Sequence, residues 1–196
     1  VLFLYLHDMP KIKCDWCLGD SLYEKYHDTE WGNPVYDDQT LFEFLTLESF
    51  QAGLSWITVL RKREHFRKAF DGFDYQKIAA YSTSKKMELL SNSKIIRNRL
   101  KIEATIKNAT AFINIQGAHG SFSNYIWDFV SGTPIVNAYE SLEELPSYTP
   151  LAEQISKDLK QKGFTFVGPT VVYSHMQATG MVNDHLVDCF RYAELT

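Results

Sequence analysis

Two pairs of residues at opposite ends of the chain have spacings that bind metal. Cys14 and Cys17 form a Cys-x-x-Cys, and His185 precedes Cys189 by four positions. The first pair reads as a redox couple or as half of a zinc site, yet no second Cys-x-x-Cys and no neighbouring βαβ pattern supports either. The second pair is better placed. On a helix, a spacing of four puts both side chains on one face, and a thiolate beside an imidazole makes half of a tetrahedral zinc site. Cys14 and His27 offer the matching half, so one ion would tie distant parts of the chain together. The competing reading has Cys189 as a small buried apolar residue and the histidines at the surface.

A second constellation joins Trp16, Tyr26, Trp31, Glu48 and Trp56. Glu48 stands in an apolar stretch, residues 45–54, where an ionised carboxylate is costly without a partner. A buried carboxylate among aromatic rings could receive a flat heterocycle that carries an amino group or a positive charge. The alternative is that the tryptophans are core and Glu48 meets water at a helix edge. A third stretch, Lys162-Gly-Phe-Thr-Phe-Val-Gly-Pro-Thr170, leads into an apolar segment from Val171 to Ala178. A helix, a glycine-bearing hairpin and the N-terminus of a second helix can hold a phosphate through backbone N–H groups. Glycines at helix junctions also serve simply as caps.

These residues need a scaffold, and its pattern is helical. Apolar residues recur at three- and four-residue intervals over residues 41–50, 56–70, 95–113 and 151–159, and no long stretch alternates as a strand does. The chain is therefore expected to be all-α. Gly53 is placed to end one helix and Ser55 to cap the next, Ser84 to cap a short helix over 85–90, and residues 164–167 to form a tight loop between Gly163 and Gly168. A length of 196 residues with 45% hydrophobic residues fits a single domain, residues 13–196. Residues 1–12 read as an N-terminal extension, because VLFLYLHDMP is interrupted by His7 and Asp8 too soon for a signal peptide. No apolar run is long enough to span a bilayer. Three unevenly spread cysteines argue against a secreted disulfide scaffold and for a reducing compartment.

A net charge of −4 is unpromising for a nucleic-acid partner, but charge is unevenly distributed. From Asp20 to Glu48 the chain is acidic with Lys25 as its one Lys or Arg, whereas Arg61, Lys62, Arg63, Arg67 and Lys68 cluster, as do Lys94, Arg97, Arg99, Lys101 and Lys107. One face could be basic, or both runs could be solvated helix faces.

Taken in order, the motifs resemble the 3-methyladenine DNA glycosylase I family, bacterial enzymes of the helix-hairpin-helix superfamily. The resemblance is carried by Cys-Asp-Trp at 14–16, Tyr-His-Asp-Thr-Glu-Trp-Gly at 26–32, Leu-Glu-Ser-Phe-Gln-Ala-Gly-Leu-Ser-Trp-Ile-Thr-Val-Leu at 47–60, Lys-Gly-Phe-Thr-Phe-Val-Gly at 162–168 and Val-Asn-Asp-His at 182–185. It runs from about Lys13 to Cys189. It implies a helix-hairpin-helix glycosylase fold with the hairpin at about 159–178, and one structural zinc ion held by Cys14, His27, His185 and Cys189. Cys17 matches no ligand. It further implies that Tyr26 and Glu48 contact the excised base and serve catalysis, that Trp56 stacks on the base, and that Trp16 and Trp31 line the pocket. Gly163, Phe164, Val167, Gly168 and Thr170 match the hairpin that grips DNA, and Gly168→Asp is expected to disturb it through backbone strain as well as charge. Ser49 stands where a glycine or serine is expected beside the key Glu, and Asn183 replaces the superfamily's catalytic Asp.

The implied activity is flipping of N3-methyladenine out of double-stranded DNA and hydrolysis of its glycosidic bond. Free 3-methyladenine would be the product and an abasic site would remain, the work of a monomer in the bacterial cytoplasm. Two other readings compete: a DNA-binding module that has lost excision, and a zinc hydrolase with an open metal position.

Overall fold

The computed structural model describes residues 11–196. Of the expected extension, residues 1–10 lie outside the described residues, while Lys11 and Ile12 pack on the C-terminal end of the chain. Lys11 lies over the Phe190 ring, 4.1 Å from its centroid, and the Ile12 carbonyl accepts from Phe190 N.

Among the described residues the chain forms α1 (Ser21–Thr29), α2 (Asp38–Gln51), α3 (Trp56–Leu60), α4 (Arg63–Ala69), α5 (Tyr75–Ala79), α6 (Thr83–Ser91), α7 (Arg99–His119), α8 (Phe122–Asp128), α9 (Pro150–Gln161), α10 (Pro169–Ala178) and α11 (Phe190–Glu194). The expected helical class holds, with one addition. Two-residue strands, β1 (Ile135–Val136) and β2 (Val182–Asn183), pair in parallel, Ile135 opposite Val182. Strands this short leave no alternation to read in a sequence.

The core centres on α2. Every residue from Leu41 to Phe50 is buried, so this helix is enclosed on all sides, and its start is fixed by Asp37, which accepts from Thr40 N at 2.8 Å. Phe42 and Phe50 pack edge-on against Phe112 of α7 and Phe66 of α4. Lys101 of α7 reaches under the other end, donating to the carbonyls of Phe50 and Ala52 at 2.8 and 2.7 Å, and so closes the C-terminus of α2.

Three local expectations need correction. The periodic run over 56–70 is two helices, because Lys62 turns at φ −100°, ψ −2° and so aims Arg63 inward. The cap of α6 is Ser82, which accepts from Lys85 N at 3.2 Å, and Ser84 lies inside the helix. His185 and Cys189 are not on a helix. They belong to the turn between β2 and α11, with Cys189 as the residue that precedes α11.

The turn after α10 depends on Gly180, at φ 68°, where a Cβ would lie 2.4 Å from the backbone of Asn33 and Pro34. Backbone cannot swing aside as a side chain can. Gly180→Ala is expected to cost about 2–4 kcal/mol through overpacking and left-handed strain together, read as a lowered midpoint in thermal or urea unfolding.

Candidate functional site

The ends of α1, α2 and α10 and the loop after Gln51 converge on one cavity of about 200 Å³. Trp16, Tyr26, Trp31, Glu48 and Trp56, the five residues grouped from sequence, all line it. Tyr23, Gln51, Leu145, Ser174 and Gln177 complete the wall. The aromatic rings support one another. Trp16 packs against Tyr23 and Trp31 at centroid distances of 4.9 and 5.0 Å, and Tyr26 against Trp56 at 5.4 Å.

Glu48 is 4% exposed, and among the described residues no group donates a hydrogen bond to its carboxylate. Burial alone pushes its carboxyl up to about 8, so at neutral pH it is mostly protonated in the free protein. Burial, with Glu48 beside it, also holds the Tyr26 hydroxyl well above its ordinary value, and Tyr23 is pushed up to about 12 by burial and then by Glu48. Both phenols are hydrogen-bond donors at neutral pH. The indole N–H of Trp56 is buried and has no partner among the described residues. The cavity wall thus holds unpartnered polar groups inside an aromatic frame.

On the far side of α1 lies a second cluster. Cys14, His27, His185 and Cys189 are all buried, and one ligand atom from each lies within 4.8 Å of the others. The Cys189 Sγ is 3.4 Å from His27 Nε2 and 3.6 Å from His185 Nδ1, and Cys14 Sγ is 3.7 Å from His185 Nδ1. Tetrahedral bonds of ~2.0–2.3 Å to nitrogen and sulfur set neighbouring ligands about 3.3–3.8 Å apart, so these three contacts match edges of one four-coordinate site. The outer nitrogens are already committed: His27 Nδ1 lies 2.8 Å from Asp28 Oδ1, and His185 Nε2 lies 3.2 Å from the Trp31 carbonyl. Each leaves its other nitrogen as a lone-pair donor facing the cluster. Hydrogen bonds from Cys14 and the two histidines hold the Cys189 thiol far below its ordinary range. Cys17 stands apart, its thiol donating to the Cys14 carbonyl at 3.1 Å. These four groups could hold a metal ion.

The two clusters share α1 and the segment after it. Tyr26 faces the cavity and His27 the thiols, while Trp31 lines the cavity and receives the His185 contact through its carbonyl.

The hairpin joins α9 to α10. Gly163 takes φ 97° and Phe166, although not glycine, takes φ 56°. The N–H groups of Gly163 and Phe164 are spent on carbonyls of α9, and that of Thr165 on Asn108. Among the described residues none accepts from the N–H of Phe166, Val167, Gly168, Thr170 or Val171. The side chains of Phe164 and Val167 are buried in the core. Of the five hairpin positions singled out from sequence, Val167, Gly168 and Thr170 therefore retain free backbone donors, and Gly163 and Phe164 do not. A shallow groove lined by Glu48, Gln51, Gly53, Leu54, Thr170 and Ser174 runs from the cavity to this end of α10.

Comparison with known proteins agrees with this arrangement. The model of the family described as methyladenine glycosylase matches residues 16–192. The chain belongs to this family. It is 47% identical to the DNA-3-methyladenine glycosylase of Haemophilus influenzae over 177 residues, 90% of this chain and 96% of that one. It is 46% identical to DNA-3-methyladenine glycosylase 1 of Escherichia coli over 180 residues, 92% and 96% of the two chains. A crystal structure of a 3-methyladenine DNA glycosylase I superposes with a TM-score of 0.89 at 48% identity, covering 91% of this chain and 98% of that one. A structure of the Staphylococcus aureus enzyme, concerned with 3-methyladenine recognition, gives 0.88 at 40% identity, covering 91% and 95%.

Within this family fold the two unusual positions have physical explanations. Ser49, beside Glu48, donates to the carbonyls of Leu45 and Phe166, so it ties α2 to the hairpin. Asn183 is not at the cavity. Its amide donates to the Tyr192 carbonyl and the Thr196 hydroxyl, which anchors the end of the chain.

Much of the first basic cluster is paired with carboxylates, and in the second Arg99 pairs with Glu103. Arg61 pairs with Asp20, Arg63 with Glu30 and Glu43, Arg67 with Glu43 and Glu64, and Lys101 is buried under α2. Asp20, Glu30 and Glu43 of the acidic stretch thus partner three residues of the first basic run, with the pair of Arg63 and Glu43 buried and that of Arg61 and Asp20 at the surface.

Among the described residues no helix is long and apolar enough to cross a membrane.

Proposed function

We propose that this protein removes N3-methyladenine from DNA, drawing the damaged nucleotide out of the duplex into the Trp-lined cavity and hydrolysing its glycosidic bond. The observation that carries this reading is Glu48, a buried carboxyl with no partner among the described residues, set in an aromatic cavity opening onto a groove that leads to the hairpin. A buried polar group without a partner costs stability. It is retained where a ligand supplies the partner.

Chemistry makes the small catalytic inventory sufficient. Methylation at N3 leaves the base positively charged, so when the C1′–N bond breaks its electron pair neutralises the base and no acid is needed to assist departure. The sugar becomes oxocarbenium-like, water adds to C1′, and the water's second proton passes to solvent. Glu48 accepts from the exocyclic amino group, where guanine would present a carbonyl oxygen. Tyr26 donates its hydroxyl to the base, Trp56 stacks on it, and Trp16 and Trp31 close the sides. Placement of Asn183 away from the cavity accords with a mechanism that uses no carboxylate at that position.

The Cys14, His27, His185 and Cys189 cluster suits zinc in a structural role, because four protein ligands leave no position for an activated water. This weighs against a zinc hydrolase. We read residues 13–196 as one helix-hairpin-helix glycosylase domain, acting as a monofunctional enzyme and a monomer on alkylated double-stranded DNA in the bacterial cytoplasm. It leaves an abasic site and releases free 3-methyladenine. Incubation with methylated DNA, followed by chromatography of the released bases, tests the activity. DNA binding without release of 3-methyladenine would favour the non-catalytic module.

Backbone donors at Val167, Gly168 and Thr170 are the phosphate contacts in this reading. Gly168 is at φ −64° with open space where a Cβ would lie, so the backbone strain expected of Gly168→Asp is absent and the substitution acts through charge and through capture of the Thr170 and Val171 N–H groups. Asp is also a favourable residue to precede a helix. Gly168→Asp is expected to leave thermal stability equal or higher while weakening DNA binding about tenfold at low salt, measured by fluorescence anisotropy. Unchanged affinity in the folded variant would remove the hairpin from the interface.

A further inference from the structure

Behind the cavity wall is a buried carboxylate that the mechanism above does not use. Asp184 is 2% exposed and accepts three hydrogen bonds, from Asn137 Nδ2 at 2.7 Å, Tyr173 OH at 2.5 Å and Gln177 Nε2 at 2.8 Å. The donors arrive from the segment after β1 and from two turns of α10, so the carboxylate is held on several sides.

Of these partners only Gln177 also lines the cavity. Its main chain is fixed as well, since its carbonyl accepts from Gly32 N at 3.1 Å. An amide has two faces of opposite polarity, and a carboxylate can only accept. The nitrogen of Gln177 must therefore face Asp184. Its Oε1 is the end left over, and among the described residues nothing donates to it.

We propose that Gln177 is a second hydrogen-bonding contact for the heterocycle in the cavity, offering Oε1 to a ligand N–H, and that Asp184 is the positioning residue that fixes this polarity. The inference rests on the function proposed above and extends it. Glu48 in its ionised form and Gln177 both line the cavity as acceptors, one charged and one permanently neutral. A ligand rich in N–H donors satisfies both, whereas one that presents carbonyl oxygens satisfies neither. Asp184 thereby contributes to selectivity without touching the ligand.

The test measures affinity for free 3-methyladenine by calorimetry for the parent, Gln177→Met, Asp184→Ala and the double variant, with Glu48→Gln alongside. Gln177→Met keeps the shape and removes the acceptor, and is expected to bind about five- to tenfold more weakly. Asp184→Ala should weaken binding to a similar extent, and the double variant should be no weaker than Gln177→Met alone, because Asp184 acts through Gln177. Parental affinity in Gln177→Met, with Glu48→Gln impaired, overturns the inference and leaves the proposed function standing. A parent that does not bind 3-methyladenine defeats the function itself. If Asp184→Ala weakens binding equally in the Gln177→Met background, the positioning role is wrong. Should Asp184→Ala fail to fold, Gln177→Met decides alone.

Discussion

Glu48→Gln is expected to bind free 3-methyladenine about ten to a hundred times more weakly than the parent above pH 8, and to lose excision in step. A hydrogen bond to a charged group is worth roughly 1.5–3 kcal/mol, which is one to two decades of affinity. The amide keeps the shape but loses the charge and half of the acceptor capacity. The pH qualification comes from burial, which pushes the Glu48 carboxyl up to about 8. Near neutrality the free protein must give up that proton before Glu48 can accept two hydrogen bonds. Parental affinity should therefore rise about tenfold between about pH 7 and about pH 9 as the carboxylate forms, and Glu48→Gln should show no such rise.

Stability should run the other way. A carboxyl raised from its ordinary value to about 8 stabilises the folded state fully at acid pH, and that stabilisation is lost as pH rises through 8. Glu48→Gln should thus match the parent in acid and exceed it in alkali, by an amount on the order of a few kcal/mol. Urea unfolding of both proteins across that range checks the sign. A variant with parental affinity at every pH would end the assignment of Glu48 as the discriminator.

Removal of metal from the Cys14, His27, His185 and Cys189 cluster is expected to destabilise the protein by on the order of 5 kcal/mol, or roughly 10–20 °C in Tm. The four residues come from the turn before α1, from α1 itself and from the turn between β2 and α11, so an ion there restrains segments more than 150 positions apart in sequence. Without it, the inward nitrogens of two buried imidazoles and two thiol sulfurs face chiefly one another. Replacing Cys14 and Cys189 together by Ala should abolish stoichiometric zinc, measured by elemental analysis, and lower Tm. Cys17→Ser should do neither, because its thiol only donates to a carbonyl and a hydroxyl can do the same. Zinc still bound after all four ligands are replaced would refute the site.

Much of this site was legible because its chemistry is carried by uncommon residue types. Cysteines, histidines and tryptophans are few, and a lone Glu in an apolar stretch stands out, so the metal cluster and the original five cavity residues could be grouped before their positions were known. Gln177, Ser174 and Leu145 could not, since single polar or apolar residues with no telling spacing look like any helix or loop surface. The signal for Gln177 is three-dimensional: an amide pinned from behind by a carboxylate seven residues further along the chain.

Spacing misled where two geometries share it. His185 and Cys189 suit one face of a helix, yet a turn brings them together as well, and the paired strands that lead into this turn are too short to announce themselves. Charge left two readings open because sequence clusters of Arg and Lys say nothing about where their partners are. Arg63 and Arg67 are spent on Glu30, Glu43 and Glu64. A phosphate-binding surface built from backbone N–H groups leaves no trace in net charge.

Three of the four tryptophans, Trp16, Trp31 and Trp56, stand on the cavity wall, whereas Trp127 is elsewhere, its indole donating to the Val35 carbonyl at 2.8 Å. Trp16 and Trp31 also pack against the His27 ring of the metal cluster, and Trp31 against His185. The molecule thus carries its own optical probe. Excited at the indole band, three of its four indoles emit from the cavity wall, two of them beside the histidines of the Cys/His cluster, with Trp127 as a background. A stacked heterocycle should quench that emission, and stripping of the ion should shift its wavelength as water reaches the rings. Single-tryptophan replacements by Phe would separate the two signals, because Trp56 touches the ligand site alone and Trp16 and Trp31 face both.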